Sequence, residues 1–470
     1  MLARVGSRRP GSAAAKGSDP GASDPNPCTT PVTRTAIVLA TFFSNGNFQD
    51  KIIPDSANSN LQQYVTIAMW MAILVVSYFR RSLLRIDWGV GLFSALAFYG
   101  FALASIAWSS NPAESASKGV AMCIVIFGAY RLVRTTNFDE IIECVILGLL
   151  LLNVASIFLS LFVPDIGILT DWQHAGQWNG IFFSKQTLGI CGALLLFFAA
   201  CRLLTSPRRG YYSAVAAAAI ICVVESGSRG GGAVSIIAVA CIYLTGVSTR
   251  FAKALAFAPL IMCLFGVALV AYFVVTGNEY LVIFDNDIDF TERTFIWQHA
   301  LGYFKDAPLF GHGLNGFWTI KDVKDVFIAK HGWFLDNYHD GYIAIVMETG
   351  VIGMCVFMFG YLLYALRLWK EIDRRGALDR NVALTLVYTC VIFFIDFTET
   401  FFLRSTNIVS SLLVTSIFIA FAHARAAPAR LVRASAKPAA GALSGAASLA
   451  VRRSSRGKGR RATGVVTNLK

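Results

Sequence analysis

The chain has 470 residues, of which 56% are hydrophobic and only 15% charged, where a soluble globular chain carries about 25% charge. That composition excludes an ordinary water-soluble enzyme. The formal net charge of +13 does not point to nucleic acid either, because the basic residues fall in the tails and in alternate short loops.

In chain order, Met1–Pro31 is rich in Gly, Ser, Ala, Pro and Arg and lacks the apolar run of a cleavable signal peptide. Residues 1–34 are therefore expected to be a disordered cytoplasmic tail. Twelve apolar segments follow, each approaching the roughly 20 residues a helix needs to cross a bilayer. They are Thr35–Phe48, Leu61–Phe79, Trp88–Trp108, Ser117–Leu132, Ile141–Val163, Thr187–Leu204, Tyr211–Val224, Gly231–Val247, Ala254–Val275, Gly341–Leu366, Val382–Phe397 and Thr406–Ala422. The first is short and interrupted by Ser44, Asn45 and Asn47. The fold read from this pattern is all-α: a polytopic membrane helix bundle of about 12 transmembrane helices over residues 35–423, with one large outer loop, residues 276–340. Residues 424–470 form a basic disordered cytoplasmic tail in which Arg452, Arg453, Arg456, Lys458, Arg460 and Arg461 crowd together, a composition that favours anionic lipid. No aromatic residues interleave there as single-stranded nucleic acid would require.

Charge bias tests the layout. With the N-terminus inside, the inner segments hold Arg80, Arg81 and Arg85; Arg131 and Arg134; Arg202, Arg208 and Arg209; Arg250 and Lys253; and the dense run Arg367, Lys370, Arg374, Arg375 and Arg380. The outer short loops hold only Lys51, Lys118, Lys185, Arg229 and Arg404. The positive-inside rule then places both termini in the cytoplasm. All cysteines but Cys28 lie within or at the ends of apolar runs, without metal-site spacing, and read as small hydrophobes.

The outer loop of residues 276–340 is too long to lack structure of its own. Within it Arg293–Lys305 reads as a short amphipathic helix, followed by turns at Gly311, Gly313 and Gly316. Its acidic residues include Asp285, Asp287, Asp289, Glu292, Asp306, Asp322, Asp325 and Asp336.

On this topology the polar residues at the ends of the apolar segments gather on the outer side. They are Trp178–Gly189, with Lys185; Ser226–Gly230, with Arg229; Thr291–Trp297, with Arg293; Asp336–Tyr342, with His339 and Asp340, and Glu348 two turns further; and Asp396–Glu399. Taken singly, each has a plain structural explanation: a snorkelling lysine, a turn arginine, a local ion pair, a loop histidine. Taken together, Lys185, Arg229 and Arg293 are cations at one interface, and guanidinium groups grip diphosphate through paired N–H donors. His339 can accept a proton near neutral pH. That set suits transfer of a group from a lipid diphosphate to a hydroxyl. The run Asp285-Asn-Asp287-Ile-Asp289 lacks the Gly and closing Glu of a calcium loop, since Phe290 and Ile296 stand there. The cations are therefore expected to neutralise the diphosphate without metal, and no cofactor is called for.

These clusters resemble those of the bacterial O-antigen ligase and polysaccharide polymerase superfamily, in its exopolysaccharide polymerase-like branch, from about Thr35 to Ala422. The motifs that carry the resemblance are the aromatic-x-Gly-Ile-Phe-x-x-Lys-x-x-Leu-Gly run at Trp178–Gly189, the Ser-x-Ser-Arg-Gly turn at Ser226–Gly230, the Thr-x-Arg-Thr-x-x-Trp run at Thr291–Trp297, the Gly-His-Gly turn at Gly311–Gly313, and His-x-Gly-Tyr with a downstream Glu-x-Gly at His339–Gly350. The family usually has Asn where this chain has Gln186 and Asp340, and often a basic residue where it has Asn179. The resemblance implies a metal-independent, inverting glycosyltransferase of the bacterial inner membrane, working at the periplasmic face on undecaprenyl diphosphate-linked glycan. By motif position Arg229, Arg293 and His339 are its catalytic residues. Lys185, Asp340, Trp297, Glu348 and Glu399 are expected to bind substrate. The expected reading is a polymerase whose acceptor is another lipid-linked glycan, with a flippase and a chain-length regulator as partners beside membrane lipids. Its alternatives are a ligase acting on the lipid A core and, more distantly, a polysaccharide transporter, for which charged or broken helices near the midplane would be the sign.

Overall fold

Several of the helix starts are set by a short polar side chain placed just before the apolar run. A computed structural model describes residues 30–44, 61–171, 174–277, 280–283, 286–289, 293–332, 337–375 and 380–424. The chain divides into units of residues 1–425 and 426–470, and every described residue lies in the first. Helix α1, Pro31–Phe43, is capped by Thr30, with Pro31 in its first turn. It therefore begins at Pro31 rather than Thr35, since proline suits a first turn whose N–H groups are unpaired. Helix α2 is Leu61–Tyr78, strand β1 Leu84–Ile86 and α3 Val90–Ala104. Helix α4, Pro112–Thr135, starts from Asn111, and α5, Phe138–Phe162, from Asn137. Helix α6, Lys185–Thr205, starts from Ser184, α7 is Arg209–Glu225, and α8, Arg229–Val247, starts from Ser228. At Thr30, Asn111, Asn137, Ser184 and Ser228 a side-chain oxygen satisfies an N–H that the first turn leaves open.

The expected ninth segment, Ala254–Val275, is mostly helix α10 (Ala258–Thr276), preceded by the short α9 (Thr249–Leu255) across a turn at Ala256 and Phe257. Next come a hairpin of β2 (Tyr280–Ile283) and β3 (Asn286–Asp289), then α11 (Arg293–Gly302) and α12 (Lys321–His331). The long α13 runs Gly341–Arg375, α14 runs Arg380–Ile395 and α15 runs Ile408–Ala420, ending in β4, Ala422–Ala424. Strand β4 pairs antiparallel with β1, Leu84 opposite Ala424. The fold is thus helical as expected, with two small two-stranded sheets that the apolar pattern did not reveal.

A helix stands at each expected apolar segment, and among the described residues seven helices are long and apolar enough to cross a membrane. Pro31–Phe43, Gln63–Tyr78, Asn381–Ile395 and Ile408–Ala420 are shorter apolar helices. The chain is a multi-pass membrane protein. Its main core runs through the bundle, from Leu149 and Leu194 to Leu368 and Ile392. A second, smaller core belongs to residues 293–347 and joins Trp297, Phe317, Trp318, Phe327 and Tyr338 to Ile343, Ala344 and Met347 on the first turns of α13. The long loop therefore has a packed interior of its own.

Helix α13 is not continuous. Gly350 has φ 69° and ψ −173°, a left-handed excursion that glycine tolerates and other residues resist. Residues 308–313 lie against this break. The N–H groups of Val351 and Ile352 donate to the carbonyls of Pro308 and Leu309 at 3.0 and 3.1 Å. The carbonyls of Met347 and Glu348 accept from the N–H groups of His312 and Gly313 at 2.8 and 2.9 Å. The loop thus takes up the backbone groups that the break exposes, as a buried break requires.

Candidate functional site

Helices α6 and α8 bring the first two cations together. Their starts cross at glycines: a Cβ on Gly231 would stand 2.7 Å from the carbonyl carbon of Gly189, and one on Gly189 would collide with Ser228. This close crossing sets Lys185 and Arg229, each the first residue of its helix, beside one another, and the charge of Arg229 reaches Lys185. The Lys185 Nζ lies 2.6 Å from Gln177 Oε1 and 3.1 Å from His174 Nδ1. Arg229 is exposed.

The second group forms around Glu399. Its Oε1 lies 3.6 Å from Arg293 Nη2 and its Oε2 lies 3.5 Å from His339 Nδ1. The Glu399 and Arg293 side chains are mostly buried, at 14% and 16% exposure, while His339 keeps 36%. One carboxylate therefore holds a cation and an imidazole that are distant in sequence. His339 itself has φ 49°, an uncommon conformation for a residue with a side chain, with its N–H donating to Asn337 Oδ1 at 3.3 Å. The two groups adjoin: a Cβ on Gly230 would stand 3.7 Å from Thr398 Oγ1, so the Arg229 turn abuts the segment that carries Glu399.

Four helix starts, those of α6, α8, α11 and α13, meet in this region, with Lys185, Arg229, Arg293 and Asp340 at them. Open N–H groups and the positive ends of helix dipoles favour an anion, and three of the four carry a cationic side chain as well. The electrostatics suit a phosphate-rich ligand.

The remaining expected residues sit behind this surface. Trp297 is 1% exposed and packs in the smaller core, where its Nε1–H donates to the Tyr338 carbonyl at 3.1 Å. Its place is under the His339 loop, fixing the backbone next to the imidazole. Asp340 is also buried, and its Oδ1 accepts from the N–H groups of Tyr342 and Ile343 at 2.8 Å each. Burial pushes its carboxyl up to about 8, against the pull of those two N–H groups and of Arg293. Glu348 is fully buried and paired with Arg404 at 2.9 Å, while its second oxygen accepts the Asn315 N–H at 2.9 Å. It binds the Gly-His-Gly loop to α13.

Two residues at the site escaped the candidate set. Arg404 was legible as an outer arginine against the charge bias, and its partner is the buried Glu348. Asp396 holds the end of α14 on the start of α13: its carbonyl accepts the Gly341 N–H at 2.7 Å, and its Oδ1 accepts the Phe401 N–H at 2.8 Å. Of the acidic run in the long loop, Asp285 lies outside the described residues, as do Glu292 and Asp336, and Asp287 and Asp289 lie in β3.

Residues 214–358 match the O-antigen ligase family. That stretch contains Arg229, Arg293, His339, Asp340 and Glu348, and leaves Lys185, Glu399 and Arg404 outside. The chain is also similar to "Exopolysaccharide production protein ExoQ" of Rhizobium meliloti (strain 1021), 23% identical over 301 residues. The similarity covers 61% of this chain and 66% of the relative, just under two thirds of its length. Family match, relative and motif order point the same way: the chain is similar to the O-antigen ligase and polymerase-like membrane proteins.

Proposed function

We propose that this protein is a glycosyltransferase of the bacterial inner membrane that polymerises lipid diphosphate-linked glycan units at the periplasmic face. The observation that carries the reading is Glu399, which holds Arg293 and His339 beside the Lys185–Arg229 crossing. An acceptor hydroxyl attacks the anomeric carbon of the donor and inverts it. The bond to the diphosphate oxygen breaks as the new glycosidic bond forms. His339, oriented by Glu399, takes the hydroxyl proton. Arg229, Arg293 and Lys185 meet the charge that develops on the departing undecaprenyl diphosphate, so the protein's own cations do the work that a metal does elsewhere. Asp340, Trp297 and Glu348 act through the loops they fix.

A polymerase uses a second lipid-linked glycan as acceptor, and a ligase uses the lipid A core. The relative's printed name, concerned with exopolysaccharide production, favours the former. Transport is disfavoured although α13 is broken, because residues 308–313 fill the break and Arg404 neutralises Glu348 beside it. The large loop of residues 276–340 is assigned to the periplasm, both termini to the cytoplasm and twelve crossings to residues 35–423. A flippase and a chain-length regulator are the protein partners that such an activity needs. The deciding experiment is the surface and secreted glycan of a deletion strain, by gel and by mass. Loss of long chains with single repeats retained supports polymerisation; lipid-linked polymer left unattached supports ligation; unchanged glycan overturns both.

A further inference from the structure

The 21 residues of α6 separate Lys185 from the opposite end of the bundle by roughly 30 Å, and a second cavity opens there. It has a volume of about 780 Å³ and lies between α1, α5 and the turn joining α6 to α7. A volume of that order accommodates a small organic ligand. One wall is apolar, made by Val38 and Leu39 of α1 and Leu147 of α5. The rim carries both signs of charge. Arg34 lies 2.6 Å from Glu140, and Arg202 lies 2.6 Å from Glu143 and 2.8 Å from Asp139. Tyr212 donates its hydroxyl hydrogen to Glu143. Arg208 also lines the rim, is exposed, and has no ion-pair partner among the described residues.

A purely anionic ligand would meet Glu140 and Glu143, and a purely cationic one would meet three arginines. A headgroup with a phosphate next to an ammonium answers both. A soluble molecule of that kind would leave the leucine and valine wall wetted, at a free-energy cost proportional to its area. An acyl chain on the same molecule covers it. We infer that this cavity binds one phospholipid with a zwitterionic, primary-amine headgroup. Its phosphate rests on Arg208 and Arg34, its ammonium on Glu140 and Glu143, and one acyl chain along Val38, Leu39 and Leu147. The arginines carry the phosphate because their N–H donors match its oxygens two at a time. The site lies apart from the Glu399 cluster and is independent of the glycan reaction.

The test uses the full chain, purified in mild detergent and supplied separately with phosphatidylethanolamine, phosphatidylglycerol, cardiolipin and chain-free glycerophosphoethanolamine, with retained lipid counted by native mass spectrometry. One molecule of phosphatidylethanolamine should stay bound, in preference to phosphatidylglycerol by about tenfold, the worth of one charge-assisted contact. Arg208→Ala and Leu147→Trp should each lower that retention by about tenfold, with the unfolding temperature in lipid-free detergent showing that both variants are folded. Both side chains are solvent- or lipid-exposed, so either replacement leaves the packed interior intact. Equal retention of phosphatidylglycerol or cardiolipin overturns the headgroup assignment. Equal binding of glycerophosphoethanolamine overturns the role of the apolar wall. Retention unchanged in both variants, or no retained lipid at all, overturns the site.

Discussion

Glu348, fully buried, is held by Arg404 at 2.9 Å on one oxygen and by the Asn315 N–H at 2.9 Å on the other. A fully buried carboxylate stripped of its counter-ion is costly, whereas the Arg404 side chain keeps 23% exposure and so some access to water. Arg404→Ala should therefore destabilise the fold by roughly 3–5 kcal/mol, the range for breaking a buried pair from one side. Glu348→Gln keeps an acceptor for Asn315 and should cost less. Thermal unfolding of the purified variants ranks them, and the reverse order would contradict the account.

At Gly350 a side chain has no room. Its backbone is left-handed, and a Cβ would run into the carbonyl of Leu309. Gly350→Ala should therefore lower both yield and unfolding temperature, by more than the ~1 kcal/mol typical of a point substitution. Gly232→Ala, where nothing lies within 4 Å of the added carbon, is the matched control and should behave like the wild type.

Arg229→Lys keeps the charge and loses the planar two-point grip, so it should weaken binding of a lipid diphosphate analogue. His339→Ala should slow turnover by about 10²–10⁴-fold if the imidazole is a general base, and leave that binding nearly intact. Glu399→Gln removes the charge that holds His339 and Arg293 together and should resemble the His339 variant in rate. Analogue binding in nanodiscs, paired with glycan gels from complemented cells, separates the roles. Normal glycan from both Arg229→Lys and His339→Ala would place the site elsewhere.

Asp340 gives a pH signature. Its buried carboxyl is pushed up to about 8, while in the unfolded chain it ionises near its ordinary value of about 3.9. Between those values the folded state holds the extra proton, so stability is highest in acid and falls as pH rises to about 8, by at most ~1.4 kcal/mol per pH unit. Asp340→Asn preserves an acceptor for the Tyr342 and Ile343 N–H groups and has no proton to lose. Its unfolding temperature should fall less than the wild type's between pH 5 and pH 8. Parallel curves would refute the assignment.

The charge bias makes a topological prediction. Reporter fusions at Lys324, in the long loop, and at Arg375, in the basic run after α13, should give opposite signals. The same signal at both positions would overturn the placement of the Glu399 cluster outside the cytoplasm.

The helices were legible because apolar runs and caps are local signals. Pro31, Asn111, Asn137 and Ser184 mark starts that hydropathy alone placed a few residues late. The break at Gly350 was not legible, because it depends on residues 308–313 arriving to pair with it, and a Glu-x-Gly run does not announce that partner. The cations of the site could be read from charges standing against the positive-inside bias. The distinction between surface and support could not. Trp297, Asp340 and Glu348 are polar or aromatic residues in the same motifs as Arg293 and His339, and burial, which is non-local, separates them. Glu399 was picked out as a polar residue at a helix end, but its bridging position depends on how α13 and α14 pack.

Helix α13 belongs to two interiors. Its first turns, with Ile343, Ala344 and Met347, complete the core of the long loop, while Met354, Phe357 and Leu368 beyond Gly350 belong to the bundle. The loop is consequently not a portable cassette. A chimaera that exchanged residues 276–340 between two such proteins would part that small core from Ile343, Ala344 and Met347, and a recombination junction that respects it falls at Gly350, inside a helix, where a splice guided by loop boundaries would never be drawn.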